Sequence, residues 1–462
     1  MKRAVTLLAL AGLLCLGAAA TAEIGALDNV PAATLLIPRF EVDLNDPAGI
    51  TTLFSVNNAS AETVLAHVTL WTEWWIPIID FDIYLTGYDV QTVNVRDIFL
   101  GNLPRTAPDN NTPGPTPNVL SNRGLFSGPS NTFGGTCSTT FGVQPNYAPL
   151  SASFRTLLAQ AFTGAPVTAL GGLCTSLPGG SNGLARGYIT IDSVSACSQE
   201  FPDSVGYFVD GGFGVANNNN VLWGDYFLVD TANNFAQGFA AVHIEADGVS
   251  LGVEDGSCDV TDRNPTTFYC TLRNPVTAPG EDNREGLPSI YGTRYTAGGA
   301  FTGGTDLLVW RDKNGTGAGA ARACNTTPTP ISQTQIVVFD EEENPLTFIT
   351  GGPSGEPEPG AEIPFPWCTN RTEVGGPNLS IDDDFGWLYL NLNDGNVNQE
   401  YFRQAHVTTV MDADGRFSVG YEAVSFNNLT LGADNRRGPR NPDATVGSYP
   451  NANAPTLFSE NF

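Results

Sequence analysis

The chain has 462 residues, with 21 basic and 48 acidic side chains and a formal net charge of −27 at pH 7. A field of this sign repels phosphate backbones and anionic lipids, which excludes nucleic-acid binding as a reasonable hypothesis. Hydrophobic residues make up 41% of the chain, and its 51 Gly and 32 Pro stay below the level that marks low-complexity sequences. The composition therefore predicts a globular protein that can bury a sizeable core.

Residues 1–22 have the features of a cleaved secretion signal. Lys2 and Arg3 precede an apolar run over 4–16, and a small-x-small cleavage pattern ends at Ala22. The run is too short to span a bilayer, and no later stretch is long and apolar enough to do so. We therefore expect a secreted, extracellular or cell-surface protein without a transmembrane segment.

From residue 23 to 104 the pattern is one of successive strands. Short runs rich in Val, Ile, Thr and aromatic residues are separated by turn residues, and they cover 33–42, 51–56, 63–75, 78–85 and 90–98. Such spacing predicts an antiparallel sandwich. The run TTLFSVNNASAETVLAHVTLWTE, followed by FDIYLTGYDVQTVNV, resembles the immunoglobulin-like β-sandwich modules of secreted bacterial surface proteins. This resemblance implies a fold for 23–104 and no catalytic residue.

The remainder of the chain is predicted to be β-rich with one or two short helices. Residues 105–136 form a Pro-, Gly- and Asn-rich loop or linker, and 431–462 form a flexible tail. Between them, 151–162 has helical periodicity, and Asn233-Asn234 marks a hairpin between two strand patterns. Further strand patterns follow as far as residue 430, so the region 137–430 holds either one large sandwich or two smaller ones.

The mature chain holds seven cysteines and no CxxC pair, which favours disulfides over zinc or haem sites. The pair Cys258–Cys270 spans a predicted turn and is the best-supported bridge. The next pairs in order of preference are Cys137–Cys174 and Cys324–Cys368. Cys197 is then left over, and it could link two copies of the chain into a homo-oligomer.

One strand carries a candidate catalytic or metal-binding set. Alternate residues of a strand share a face, so His243, Glu245 and Asp247 would point the same way. An imidazole with two carboxylates can bind a divalent metal or act in general acid–base catalysis. The alternative interpretation is the polar face of a half-exposed strand that runs into a turn.

Acidic loops make calcium the candidate metal, because Ca²⁺ prefers carboxylate and carbonyl oxygens. The predicted ligands lie in two loops and are Asp382, Asp383, Asp384, Asp412 and Asp414. Neither loop has the full EF-hand spacing, and each is equally consistent with an ordinary turn. Asp80 and Asp82 could act as paired carboxylates in glycosidic cleavage, but they are interpreted as solvated.

Trp71, Trp74 and Trp75 are candidate ligand-binding residues at the end of a predicted strand. Exposed indole rings can stack on sugars, whereas the alternative is that Trp71 packs in the sandwich core while Trp74 and Trp75 cover its end or contact the second domain. The leading functional hypothesis is a secreted structural or adhesion-type protein that binds surface proteins or glycans, with calcium stiffening its loops. The alternative is a secreted polysaccharide hydrolase or lyase that uses His243 and Glu245.

Overall fold

The computed structural model describes residues 29–106, 116–117, 119–124, 150–177, 182–195, 200–204, 206–208, 215–246, 267–269, 283–312, 321–325, 331–332, 336–346, 362–363, 369–376, 379, 381, 383–392 and 404–425. Several predictions fall outside these ranges. They concern the signal segment 1–22, most of the loop 105–136, the tail 431–462, and Cys137, Cys197, Asp247, Cys258, Cys270, Cys368 and Asp382.

The fold is mainly β, as predicted, and its first part contains the strands up to residue 244. In chain order the elements are β1 (Thr34–Asp43), β2 (Thr51–Asn58), β3 (Val64–Thr72), β4 (Pro77–Leu85), β5 (Val90–Asn94), α1 (Val95–Phe99), β6 (Arg105–Thr106), β7 (Thr116–Pro117), β8 (Val119–Gly124), α2 (Ala152–Thr163), a 3₁₀ turn (Thr168–Leu170), β9 (Leu184–Val194), β10 (Leu222–Trp223), β11 (Asp225–Asp230), β12 (Phe235–Ala240) and β13 (Val242–Ile244).

Apart from β6 and β7, which pair with each other in a separate two-stranded sheet, these strands form an antiparallel sandwich of two sheets. Sheet I has the strand order β13-β1-β9-β3-β4-β8, and sheet II has the order β10-β2-β11-β12 with β5 also paired to β2. Both sheets combine strands from before residue 104 with strands from 184–244. The predicted domain boundary at residue 104 is therefore wrong, because it cuts through both sheets.

Alternating side chains place the core of this sandwich between sheets I and II. On β3, Ala66, Val68 and Leu70 point into the core, whereas His67 and Trp71 lie on the other face of sheet I. Helix α2 packs against this core with the apolar face that its periodicity predicts. It begins after Ser151, whose Oγ accepts the Phe154 N–H at 3.2 Å, and it ends at Gly164 in the left-handed conformation.

Two local predictions need adjustment. The run 90–98 is not one strand, because Asn94 ends β5 and its side chain accepts the Arg96 N–H at 3.0 Å, capping α1. The hairpin at Asn233-Asn234 is confirmed, with Asp230 opposite Phe235 in the ladder. Its second arm then divides into β12 and β13, which belong to different sheets.

The second part of the fold is another antiparallel sandwich. Its strands are β14 (Ile290–Thr296), β15 (Gly304–Arg311), β16 (Ile331–Ser332), β17 (Ile336–Asp340), β18 (Pro345–Leu346), β19 (Glu362–Ile363), β20 (Thr369–Val374), β21 (Phe385–Asn391), β22 (Ala405–Asp412), β23 (Ser418–Glu422) and β24 (Val424–Ser425). Sheet III has the order β20-β15-β22-β23, and sheet IV has the order β18-β17-β21-β14-β24. Strands β16 and β19 belong to neither sheet and pair with each other. The region 137–430 is therefore split between two sandwiches.

Sheet III joins the two sandwiches because both of its faces are buried. Leu307 and Val309 point into the core that it shares with sheet IV. On the opposite face, Leu308 and Val410 enter the core of the first sandwich, and Trp310 packs edge-on against Tyr188 at 5.9 Å. The two sandwiches therefore share buried side chains.

One disulfide, Cys174–Cys324, also connects the two parts of the chain. The predicted pairs Cys137–Cys174 and Cys324–Cys368 are both wrong. A backbone bridge explains the observed pairing, because the Cys174 N–H donates to the Arg322 carbonyl at 2.8 Å and the Arg322 N–H donates back at 2.9 Å. This bridge brings together two segments that are 150 residues apart in sequence.

We expect the double substitution Cys174→Ala and Cys324→Ala to lower the free energy of unfolding by about 2–4 kcal/mol, because the bridge closes a long loop in the unfolded chain. Chemical denaturation of the variant beside the wild-type protein measures the loss. An unchanged unfolding midpoint would contradict the prediction.

Candidate functional site

The outer face of sheet II carries two exposed aromatic rings. Strands β10 and β11 follow one another, so Trp223, Asp225 and Phe227 lie on the outer face while Tyr226 and Leu228 point into the core. Trp223 is 40% exposed and Phe227 is 43% exposed. Large aromatic side chains are costly to leave in water, so a pair on one face indicates a contact surface.

An open groove of about 770 Å³ runs along these rings. Strand β12 contributes only small outward residues to it, since Gly238 and Ala240 lie opposite Phe227 and Asp225. A Cβ atom at Gly238 would stand 2.4 Å from the Phe227 ring, so only glycine leaves this ring its position. The groove is also lined by Asn29, Pro31, Ala59 and His243.

A line of hydrogen bonds fixes the carboxylate of Asp225 between the two rings. The Ser55 Oγ donates to Asp225 Oδ1 at 2.7 Å, and the Asn57 Nδ2 donates to the Ser55 Oγ at 3.0 Å. The same Asn57 amide donates to the Trp223 carbonyl at 3.2 Å. The groove therefore presents one oriented carboxylate flanked by two apolar rings.

His243 of β13 is a buried residue that lines this groove. Its Nε2 accepts the Gly224 N–H at 3.2 Å, and Gly224 is the residue between Trp223 and Asp225. A Cβ atom at Gly224 would lie 2.4 Å from the Ser55 carbonyl oxygen, which explains the glycine there. Burial lowers the pKa of His243, so the ring is neutral near pH 7 and holds the backbone between Trp223 and Asp225.

The other members of the predicted catalytic set do not accompany His243 on its strand. Strand β13 ends at Ile244, so the alternation expected to continue through residue 247 stops there. Glu245 is half-buried, and its backbone carbonyl accepts the Glu285 N–H at 2.9 Å. Asp247 lies outside the described residues.

The three predicted tryptophan ligands are all fully buried. Trp71 stacks on Tyr188 at 5.7 Å, and Trp75 donates its indole N–H to the Arg311 carbonyl at 3.0 Å. Trp74 packs in the core between sheets I and II. None of these rings can stack on an external sugar, so the prediction of a ligand site there is wrong. The packing alternative also needs adjustment, because Trp74 is the ring in the sandwich core, whereas Trp71 and Trp75 belong to the aromatic cluster on the other face of sheet I.

The acidic loops proposed for calcium lie at separate turns. Asp383 and Asp384 precede β21, while Asp412 ends β22 and Asp414 occupies the turn that follows it. Within the ranges that the structure describes, no three His, Cys, Asp or Glu side chains gather as a metal ion would require. Calcium binding at these loops stays a prediction.

A second group of titratable side chains lies fully buried on the outer face of sheet I. His67 Nδ1 lies 2.6 Å from Asp82 Oδ1, and its Nε2 lies 3.7 Å from Asp80 Oδ2. The two aspartates are therefore not solvated, contrary to the sequence interpretation. Burial by itself lowers the pKa of His67, but Asp82, Asp80 and Asp192 outweigh it and raise the pKa to about 9.

This cluster continues across sheet I to a third buried carboxylate, that of Asp192. Asp192 Oδ2 accepts the hydroxyl groups of Tyr207 and Tyr269, each at 2.8 Å, and Arg284 lies 3.9 Å from Oδ1. All of these side chains are buried, and the aromatic residues around them close the face of the sheet. The cluster therefore has a structural role, unlike the open groove on sheet II.

The sequence predicts a strand before the hairpin at Asn233-Asn234, but its pattern does not identify Trp223, Asp225 and Phe227 as a site. The residues that alternate with this set are Leu222, Tyr226 and Leu228, so both faces of the strand carry large apolar side chains. The period alone therefore cannot tell which set is buried. The available signal was an aspartate between two aromatic residues at strand spacing.

Within the described part of the chain, none of the helices is both long enough and apolar enough to traverse a lipid bilayer. Comparison of the chain with protein-family models, with characterised proteins and with solved structures finds no significant match. The functional conclusions below are therefore drawn from the geometry of the groove.

Proposed function

We propose that this protein is an exported binding protein of the adhesion type, and that the groove on sheet II binds a glycan. The observation that carries the proposal is the row of Trp223, Asp225 and Phe227 beside the small residues of β12. Sugar rings have apolar faces and hydroxyl edges, so they fit a site with flat aromatic rings and an oriented carboxylate.

Three further features support this proposal. The secretion-type segment at the N-terminus and the disulfide agree with an oxidising extracellular environment. The high negative charge disfavours phosphate-rich partners. The groove lies on a sheet face held by a large core, which keeps its side chains in fixed positions.

The hydrolase alternative is less well supported by the groove. His243 Nε2 already accepts a backbone N–H, and among the described residues no hydrogen bond connects this ring with a carboxylate. A general base needs such an orienting partner or direct access to the substrate. The polysaccharide-cleaving role of His243 and Glu245 stays a prediction.

Binding is expected to depend on the two exposed rings. We expect Trp223→Ala and Phe227→Ala each to weaken binding about tenfold, because an aromatic stacking contact contributes about 1 kcal/mol beyond the area that it buries. Affinity gel electrophoresis and tryptophan fluorescence with soluble β-glucan, xylan, mannan and glucosamine polymer test this expectation.

The matched control is Trp387→Ala, which removes a half-exposed indole from the outer face of sheet IV. This variant should bind as the wild-type protein does. If none of the four polymers binds, or if binding survives both groove substitutions, the proposed function is wrong.

A further inference from the structure

The charges around the groove restrict the class of glycan that it can hold. Asp225 lies between the rings of Trp223 and Phe227, and none of the described residues that line the groove is Lys or Arg. Burial keeps His243 neutral, so it does not offset the carboxylate. With a net charge of −27 on the whole chain, the groove has a negative potential.

The carboxylate of Asp225 is also placed to accept a hydrogen bond from a ligand. Its Oδ1 is held by Ser55 at 2.7 Å, whereas Oδ2 makes no hydrogen bond or ion pair within the described part of the molecule. Asp225 is half-exposed at the groove surface. One oxygen is therefore fixed and the other faces an open site.

Resting on the proposed function, we infer that the groove prefers a glycan that carries protonated amines, such as a deacetylated glucosamine polymer. An ammonium group forms a charge-assisted hydrogen bond to a carboxylate and is attracted to the faces of neighbouring aromatic rings. Trp223, Asp225 and Phe227 supply both interactions on one sheet face. A glycan with uronic acids is repelled by the same field.

The experiment compares three oligosaccharides of equal length in calorimetric titrations at mildly acidic pH: a glucosamine oligomer, its N-acetylated form and a cello-oligosaccharide. The N-acetylated form has the same backbone without the charge. We expect the glucosamine oligomer to bind about tenfold more tightly than the other two, as expected for a hydrogen bond between charged groups.

Asp225→Asn should remove this preference, so that the glucosamine oligomer binds no more tightly than the neutral oligosaccharides, since the amide keeps the shape of the side chain and lacks its charge. The matched control is Glu62→Gln, which removes an exposed carboxylate of the same sandwich that does not line the groove. This control should keep the preference for the glucosamine oligomer. Both substitutions remove one negative charge from the chain, so a loss of the preference in both variants would indicate an effect of net charge and not of the Asp225 carboxylate.

The outcomes separate the two proposals. Equal binding of all three oligosaccharides, lost in Trp223→Ala, would overturn the preference for amines and leave the proposed function standing. A preference for the glucosamine oligomer that persists in Asp225→Asn would also overturn the inference that the groove selects amines through Asp225. No binding of any oligosaccharide overturns both proposals. Tight, Trp223-dependent binding of oligolysine without binding of the glucosamine oligomer would identify a basic peptide as the occupant and overturn the glycan assignment.

Discussion

Replacing His67 by Gln is expected to lower the free energy of unfolding by about 3–5 kcal/mol near pH 7, because it removes a buried cation that lies beside Asp80 and Asp82. His67 is fully buried, and its Nδ1 lies 2.6 Å from Asp82. The charged ring stabilises the two buried carboxylates that it contacts on this face of sheet I. The double variant His67→Gln with Asp82→Asn should recover part of the lost free energy of unfolding, since it also removes the negative charge that His67 contacts most closely.

The same residue predicts how stability depends on pH. The pKa of His67 is about 9 in the folded protein, above the value of about 6.5 expected for an unfolded chain. The protonated form is the stabilising one, so its contribution is complete below about pH 6.5 and is lost as the pH rises through 9. A shift of this size corresponds to about 3 kcal/mol.

Thermal unfolding of the wild-type protein between neutral pH and about pH 9 measures this loss. The variant His67→Gln should show a flatter profile over the same interval. The control is His406→Gln, because burial lowers the pKa of His406 to about 4 and this ring is neutral throughout the interval. A wild-type profile that is flat, or a His67→Gln profile as steep as the wild type, would refute the prediction.

Strand and helix positions were predictable because they depend on local periodicity. Helix α2 follows from its apolar spacing and its Ser151 and Gly164 boundaries, and the hairpin at Asn233-Asn234 follows from its turn residues. Strand pairing was not predictable, because β9 inserts between β1 and β3 from more than a hundred residues away. The disulfide was not predictable for the same reason, since Cys174 and Cys324 are 150 residues apart in sequence and meet only in the folded chain.

The predicted tryptophan site is absent from the surface because sheet I is buried on both faces. Sequence alternation suggests that one face of a sandwich sheet meets water, and on this assumption Trp71 would be exposed. In the structure, Trp310 of the second sandwich and Tyr207 cover that face, so both Trp71 and the polar His67 lie in the interior. Only sheet II keeps exposed aromatic rings on its outer face, at Trp223 and Phe227, among the strands of the first sandwich that are described.

A buried charge network crosses the boundary between the two sandwiches. On β1, Arg39 lies 2.6 Å from Glu41, and Arg371 of β20 lies 3.5 Å from the other oxygen of Glu41. Arg39 also donates to the Thr369 hydroxyl at 3.4 Å. Arg39 and Glu41 are both nearly inaccessible to water. Glu41 therefore holds two arginines from different sandwiches.

The pKa of Glu41 reflects this arrangement. Burial alone raises the pKa, but Arg39, Arg371 and Arg186 outweigh it and hold the pKa below its ordinary value. The ionised form is thus the stabilising one. Its contribution is present above about pH 4.5 and is lost as the pH falls through the folded-state pKa.

We expect Glu41→Gln to lower the free energy of unfolding by about 3–5 kcal/mol at neutral pH, because Arg39 then remains buried without its closest anion. The matched control is Glu341→Gln. Glu341 pairs with Arg294 at 3.4 Å on the surface, where an ion pair contributes about 0–1 kcal/mol. Chemical denaturation of both variants measures the difference.

A second variant separates the effect of a stranded charge from a loss of packing. Arg39→Met combined with Glu41→Leu removes both charges and keeps similar side-chain volumes, so it should be more stable than Glu41→Gln. Arg371 keeps Asp306 as a partner at 2.6 Å in this variant. If Glu41→Gln were as stable as the wild-type protein, or if the double variant lost as much stability as the single one, the network would not hold the two sandwiches together through paired charges.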